Sequence, residues 1–311
     1  MEAPTRPVDL SDHPKTLDHN FLSPIIPRVF VGRSPAQSGQ SRRGRSGQTP
    51  SNPFQPVHPS PPLTDSAQTP CMKIAFHPLD AFEGWALAPK AFGELIERFG
   101  SKKILEVGSG AGPTMSTDFV RKHGLHYVTN DIDASELEKS DPAYARLCHD
   151  FSGHDPLPDL IGAFDFVFSR MVNEHVQDGE RYYRNLHQVL RPGGICAHCF
   201  STLYTLPFLA NRLMPEFISD KLLDIFAPRD RHRHGKFKAY YSWSRGPSRT
   251  MIRRFESLGF EVVEYHGYFG HPYYARRAPF LHSLEKLKSD WLVRHPVALL
   301  TSYGKVILRK R

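Results

Sequence analysis

Past residue 71 the apolar residues alternate between short continuous runs and stripes at helical spacing. Runs of strand length begin near Ile104, Tyr127, Arg146, Phe164 and Ile195, and two more cover Phe260 to Tyr265 and Tyr303 to Leu308. Helical stripes fill the gaps. Phe92, Leu95, Ile96 and Phe99 share one face of a helix predicted over Ala88 to Phe99, which Gly100 stops. Thr114 to His123 reads as a helix opening behind Pro113. Tyr182, Leu186, Val189 and Leu190 share a face of a further one. Ser248 caps another, which carries Met251, Ile252, Phe255 and Leu258 and ends at Gly259. Seven strands separated by helices predict a doubly wound α/β sheet.

The first 71 residues break this rhythm. They hold 13 of the chain's 27 prolines and a Ser/Gly/Gln/Arg-rich run from Ser34 to Ser51. Such a composition buries too little apolar surface to offset its ordering entropy, so a disordered, non-catalytic tail is expected over 1–71. It contains no apolar core of a secretory signal. The domain expected to follow covers 72–311, and 40% apolar residues are enough for its core.

Chemistry concentrates in Lys103-Ile104-Leu105-Glu106-Val107-Gly108-Ser109-Gly110-Ala111-Gly112. A buried strand runs into a glycine-rich turn, where the missing Cβ atoms let the backbone bend tightly and approach a ligand. The dinucleotide fingerprint wants glycine at the first, third and sixth positions. Here glycine stands at the first, third and fifth. Tyr127 to Asp131 then ends a second strand in an acid about 20 residues on, a placement that suits a ribose diol. Phe164-Asp165-Phe166-Val167-Phe168 leads into Ser169-Arg170-Met171-Val172-Asn173-Glu174-His175-Val176, and Leu190-Arg191-Pro192-Gly193-Gly194-Ile195 launches the next strand. No P-loop lysine motif is present, which argues against a nucleoside triphosphatase.

In this order the four motifs resemble the class I S-adenosylmethionine-dependent methyltransferases, in the branch acting on small molecules. The resemblance covers residues 74–311 and is firmest over 102–200. It implies a Rossmann-like sheet whose last strand inserts antiparallel beside the fifth, and S-adenosyl-L-methionine as cofactor. The cofactor's methionine part would lie on Gly108, Gly110 and the loop backbone, its ribose on Asp131, and its adenine on Ile132 and Asp150. Glu106, Ser109, Gly112, Phe151 and Ser169 complete the cofactor set that the motifs imply. Phe151-Ser152-Gly153-His154 departs from the acidic-apolar pattern usual in the family there. Phe82 and Trp85, ahead of the first helix, either close over the site or pack.

Residues 201–247 form a long insertion after the fifth strand. It is apolar at Phe208, Leu213, Met214, Phe217, Leu222, Leu223, Ile225 and Phe226, and basic at Arg229, Arg231, Arg233 and Lys236. Tyr240, Tyr241, Trp243 and Arg245 follow. An element inserted there stands over the ligand crevice, so a substrate lid is expected, with a solvated charge run beside a packed helix as the other reading. Its arginines would hold an anionic group on the acceptor.

For catalysis, His175 is the expected proton acceptor, because an imidazole's ordinary pKa permits deprotonation near neutrality. Glu174 beside it would orient a ring or bind cofactor. The other reading has both residues stabilising the passage from loop to helix. His198 is mid-strand and expected to be packed. Cys196 and Cys199 have a metal-like gap, but three positions along a strand point to opposite faces, so no metal site is expected. Unpaired cysteines suit a reducing, cytoplasmic compartment.

No run reaches the length of a membrane span. The net charge of +8 permits an anionic partner without requiring one. The expected function is methyl transfer to a small-molecule acceptor, at oxygen. An RNA methyltransferase and a catalytically silent methyltransferase-fold scaffold are the alternatives. RNA is disfavoured by the absence of any recognisable RNA-binding module, and the scaffold by the complete cofactor corner.

Overall fold

The structure, a computed structural model, describes residues 72–202, 238–271 and 279–311. The tail expected over 1–71, and the part of the expected lid that falls on 203–237, lie outside the described residues.

Eight strands make one sheet: β1 (Lys73–Pro78), β2 (Lys103–Val107), β3 (His126–Asp131), β4 (Ala145–Cys148), β5 (Phe164–Arg170), β6 (Leu190–Ser201), β7 (Phe260–Phe269) and β8 (Tyr303–Lys310). Their order is β1-β7-β8-β6-β5-β2-β3-β4. β8 lies antiparallel between β6 and β7, and every other pairing is parallel. The chain moves outward one way from β2 to β4 and the other way from β5 onward. This reversal makes the carboxyl ends of β2 and β5 the switch point where open α/β sheets hold ligands. Seven of the strands match the sequence reading. β1 was not foreseen, because its side chains are only exposed or half-buried and it closes on a proline, giving no apolar run to detect.

Helices cover both faces. α1 (Ala88–Arg98) sets Phe92, Leu95 and Ile96 against Ile104, Phe166, Phe168 and Ile307. On the other face, α4 (Gly179–Val189) and α5 (Arg249–Ser257) bury Tyr182, Tyr183, Leu186, Met251 and Phe255 against Leu105, Val167, Cys196 and Val306. Burial of side chains this large contributes on the order of 2 kcal/mol each. Cys196 and Cys199 face opposite layers, as strand alternation requires. Shorter helices α2 (Thr117–Lys122) and α3 (Ala134–Glu138) flank β3, and α6 (Pro279–Arg294) precedes β8.

Two motif signals turn out to hold the end of the sheet remote from the crevice. Asp165 accepts from the backbone N–H groups of Lys102 and Lys103 at 2.9 Å each, and its other oxygen meets Arg191 at 2.5 Å. The Arg-Pro-Gly-Gly turn is thereby tied to the start of β2. Gly193 there has φ +75, the left-handed region that glycine enters freely.

Candidate active site

The glycine loop is shaped from beneath by Glu106. This residue is 3% exposed, and both its oxygens accept from the Thr114 backbone N–H, at 3.0 and 2.9 Å. The Thr114 and Tyr127 hydroxyls also donate to it. Burial raises its pKa, opposed by these hydrogen bonds. Through Thr114, Glu106 fixes the shape of the loop. Holding Thr114 in this way also delays the helix. α2 starts at Thr117, capped by Ser116, whose hydroxyl accepts from Phe119 N at 3.2 Å. The helix expected from Thr114 is three residues shorter at its start, and the loop correspondingly longer.

Gly108 and Gly110 have φ of +71 and +54. A Cβ on Gly108 would stand 2.3 Å from Val172 Cγ2, so the turn after β5 closes directly on the glycine loop. Gly112 has neither a positive φ nor a neighbour within 4 Å of a built Cβ. Its glycine is not required by the backbone. Ser109 N donates to Asn130 O at 2.9 Å, and Gly110 N donates to Asp131 Oδ2 at 2.9 Å. The other Asp131 oxygen accepts from Asp133 N at 3.0 Å. Ile132, next to Asp131, leaves 59% of its surface exposed. Gly108, Ser109, Gly110, Asp131 and Ile132 are thus brought together at the adjoining carboxyl ends of β2 and β3.

The remaining residues of the expected cofactor set lie elsewhere. Asp150 is exposed beyond β4, its Oδ1 accepting from the Ser152 N–H and hydroxyl at 2.7 Å each. The Phe151 ring is buried in the α4 layer, so any ligand contact there is left to its backbone. Ser169 is fully buried and belongs to an internal chain of hydrogen bonds. Its hydroxyl donates to Asn173 Oδ1 at 2.7 Å, so at 2.6 Å the His198 Nδ1–H is the donor to Ser169. His198 Nε2 then accepts from the Cys196 thiol at 2.8 Å, and Asn173 Nδ2 donates to the Tyr183 hydroxyl at 2.6 Å. Burial pushes the His198 pKa down to about 3 and the Cys196 thiol up, which keeps both neutral as this polarity demands. Ser169 thus has no hydrogen left for a ligand and supports the site through Asn173.

That support reaches the turn Asn173–His175. Met171, just before it, has φ +57, a conformation unusual outside glycine. Glu174 is 3% exposed, as buried as Glu106. Its Oε1 accepts from the Ser201 hydroxyl at 2.9 Å, at the carboxyl end of β6. Its Oε2 is buried with no hydrogen-bond partner. Burial raises the Glu174 pKa, with the neighbouring His175 pulling the other way. The Glu174 carbonyl accepts from the backbone N–H of Tyr240 and Tyr241 at 2.8 and 3.0 Å. His175 is half-buried, and its Nδ1 donates to the Lys238 carbonyl at 3.2 Å, so Nε2 is its proton-accepting nitrogen in the neutral ring.

Of the four residues expected at the return of the insertion, Trp243 and Tyr241 are buried. Trp243 stacks on Tyr183 at 5.6 Å, with the Arg254 guanidinium over its ring. Trp243 belongs to the core rather than to a substrate loop. Phe82 stacks on Tyr303 at 4.7 Å, and Trp85 sets its edge against both rings. These two pack over the carboxyl end of β6 and the amino end of β8.

Sequence reasoning missed Asn130, Tyr127, Asn173 and Ser201. Asn130 donates to the carbonyls of Leu147 and His149 at 2.8 and 2.9 Å, fixing the end of β4. Only Asn173 offered a signal, as a polar residue directly ahead of Glu174. Among the described residues, no group of three or more His, Cys, Asp or Glu could hold a metal ion, and no helix is long and apolar enough to cross a membrane.

The model of a methyltransferase domain family matches residues 82–265. An uncharacterized methyltransferase of Mycobacterium sp. (strain JLS) is 31% identical over 109 residues, which are 35% of this chain and 42% of that protein. Phosphoethanolamine N-methyltransferase 2 of Caenorhabditis elegans is 26% identical over 132 residues, 37% of this chain and 30% of that protein. The chain thus spans less than half the length of these relatives. Among solved structures, an S-adenosylmethionine dependent methyltransferase from Mesorhizobium loti aligns with a TM-score of 0.42 and 18% identity, over 75% of this chain and all of that one.

Proposed function

Because the chain belongs to the methyltransferase domain family, we propose that it is an S-adenosylmethionine-dependent methyltransferase acting on a small-molecule acceptor, at oxygen. The observation that carries the reading is the pairing of two half-finished sites at adjoining strand ends. On β2 and β3, Gly108 and Gly110 present a bent backbone beside the Asp131 carboxylate and the exposed Ile132. A carboxylate has lone pairs for both hydroxyls of a ribose, and an exposed apolar side chain suits the face of a purine. These residues fit the cofactor, which when bound supplies a methyl group made electrophilic by its sulfonium.

On β5 and β6 the chain's own work is to hold the acceptor and take its proton. Glu174 Oε2 lacks a donor, and a polar hydrogen of the acceptor other than the reacting one is a group of the right kind to supply one. His175 Nε2 takes the proton of the reacting hydroxyl as its oxygen attacks. Such a base contributes about 10²–10⁴-fold, and orientation of the two reactants on the order of 7–11 kcal/mol. The internal chain from Cys196 to Asn173 keeps the turn bearing both residues in one place.

The test is transfer of a labelled methyl group from S-adenosylmethionine into small-molecule extracts, with and without ribonuclease. Label in small molecules, unaffected by ribonuclease and lowered about a hundredfold or more in His175→Ala, is the expected result. Label confined to ribonuclease-sensitive material would overturn the acceptor class, and full activity in the variant would remove His175 as the base.

A further inference from the structure

α6 is turned inside out. Among its described side chains the buried ones are Glu285, Ser289 and Leu292, spaced four and three apart on one face. The large apolar ones left exposed are Phe280, Leu284, Leu287 and Trp291, spaced four, three and four on the opposite face. A helix docked on a sheet normally shows the reverse. Three of these outer side chains are more than half exposed: Phe280 at 74%, Leu287 at 65% and Trp291 at 56%. Val297, Leu299 and Leu300 continue the exposed apolar surface after the helix. Seven of the twelve large apolar residues exposed in the described structure fall between 280 and 300. Met72, just ahead of β1, and Ile74 on it add two more, and β1 is a strand that α6 packs against.

The orientation is not accidental, because the inner face is anchored. A Cβ on Gly270, just past the carboxyl end of β7, would lie 3.0 Å from Ser289 Oγ. Glu285 approaches His271 at 3.9 Å and pairs with Lys288 at 2.6 Å. The same contacts set α6 at the carboxyl end of the sheet, the end that carries the glycine loop and Glu174. Charge on the outer surface is mainly positive. Between 280 and 300 Lys286 and Arg294 are exposed, with His295 beside them, while Glu285 is buried and the Asp290 side chain, 46% exposed, stands against Lys286.

A helix of this length is about 24 Å long, so its stripe offers roughly 250 Å². Even doubled by residues 297–300, that falls short of the ~800 Å² per partner of a stable protein interface. A bilayer surface needs no such minimum. It takes up apolar stripes flanked by basic residues, with an aromatic side chain at the level of the headgroups. We propose that the outer face of α6, extended by Val297, Leu299 and Leu300, seats this protein on an anionic lipid surface.

The experiment mixes the full chain with vesicles of phosphatidylcholine, alone or containing phosphatidylserine, and reads co-sedimentation and Trp291 emission. Binding to the phosphatidylserine vesicles is expected, with a blue-shifted emission, quenching by bilayer-brominated lipid and weakening at high salt. The double variant Leu287→Glu/Trp291→Glu should bind at least about tenfold more weakly. Quenching of the parent by brominated lipid is read without any variant, so a variant that fails to fold leaves the test intact. Absence of vesicle binding, or binding unchanged in a folded double variant, overturns the proposal. So does a parent dimer that the double variant dissociates, which gives the face to a second copy. A Trp291 already shielded from aqueous quencher in the free protein also overturns it, since the chain itself would then cover the face.

Discussion

Glu106 and Glu174 are equally buried, stand at the ends of neighbouring strands, and have their pKa values raised by the same desolvation. They differ in what surrounds the carboxyl group. Glu106 is met by a backbone N–H and two hydroxyls, whereas Glu174 has Ser201 on one oxygen and nothing on the other. The first carboxyl group is fully met by donors and the second is met on one oxygen alone. Burial alone therefore does not mark a functional acid, and the unmet oxygen is what the proposed role of Glu174 rests on.

The widest separation of the two comes from truncation. Glu106→Ala leaves the Thr114 N–H and the Thr114 and Tyr127 hydroxyls buried without an acceptor, and should cost on the order of 3–5 kcal/mol in urea unfolding. A loss below about 1 kcal/mol would mean that the loop does not depend on this acid.

Glu174→Gln sharpens the contrast from the other side. A carboxyl group whose folded pKa is raised destabilises the fold as pH climbs above its unfolded value, because the unfolded chain releases its proton first. A neutral amide escapes that cost and still accepts from Ser201. Stability at neutral pH should stay within about 1 kcal/mol of the parent or rise, while methyl transfer falls about a hundredfold. A large loss of stability would make Glu174 a structural acid like Glu106.

The smallest effect concerns the support beneath Glu174. His198 is held neutral with a pKa near 3, against an ordinary value of 6.5. Between these values the unfolded chain binds one proton that the folded chain refuses, so stability falls as pH drops through that window. The slope should be about 1.4 kcal/mol per pH unit from this group. His198→Asn should remove that contribution from the pH profile, and an unaltered slope would place the chain's acid sensitivity elsewhere.

The contrast also explains what could be read from sequence. The corner at Gly108, Gly110 and Asp131 was legible because backbone conformation and strand ends leave local marks, namely glycines after an apolar run and an acid after the next. The role of Glu106 was not, because its partner Thr114 is fixed across the loop and Tyr127 comes from another strand. Ser169 and Phe151 sit where the motifs put them, yet their side chains turn into the α4 layer, a choice made by packing. Trp243 read as part of a basic aromatic loop because nothing local foretells its stacking on Tyr183. α6 was missed although its apolar spacing is regular. A regular apolar stripe ordinarily predicts the buried face, and here it is the exposed one.

The central claim is that the loop from Gly108 to Gly112, with Asp131, holds S-adenosylmethionine. Calorimetric titration of the full chain with S-adenosylhomocysteine tests it without knowledge of the acceptor. The account predicts saturable binding by the parent and none by Gly110→Arg, whose large side chain at φ +54 would stand beside Asp131. A parent that takes up no ligand, or a folded Gly110→Arg that binds as the parent does, would contradict it.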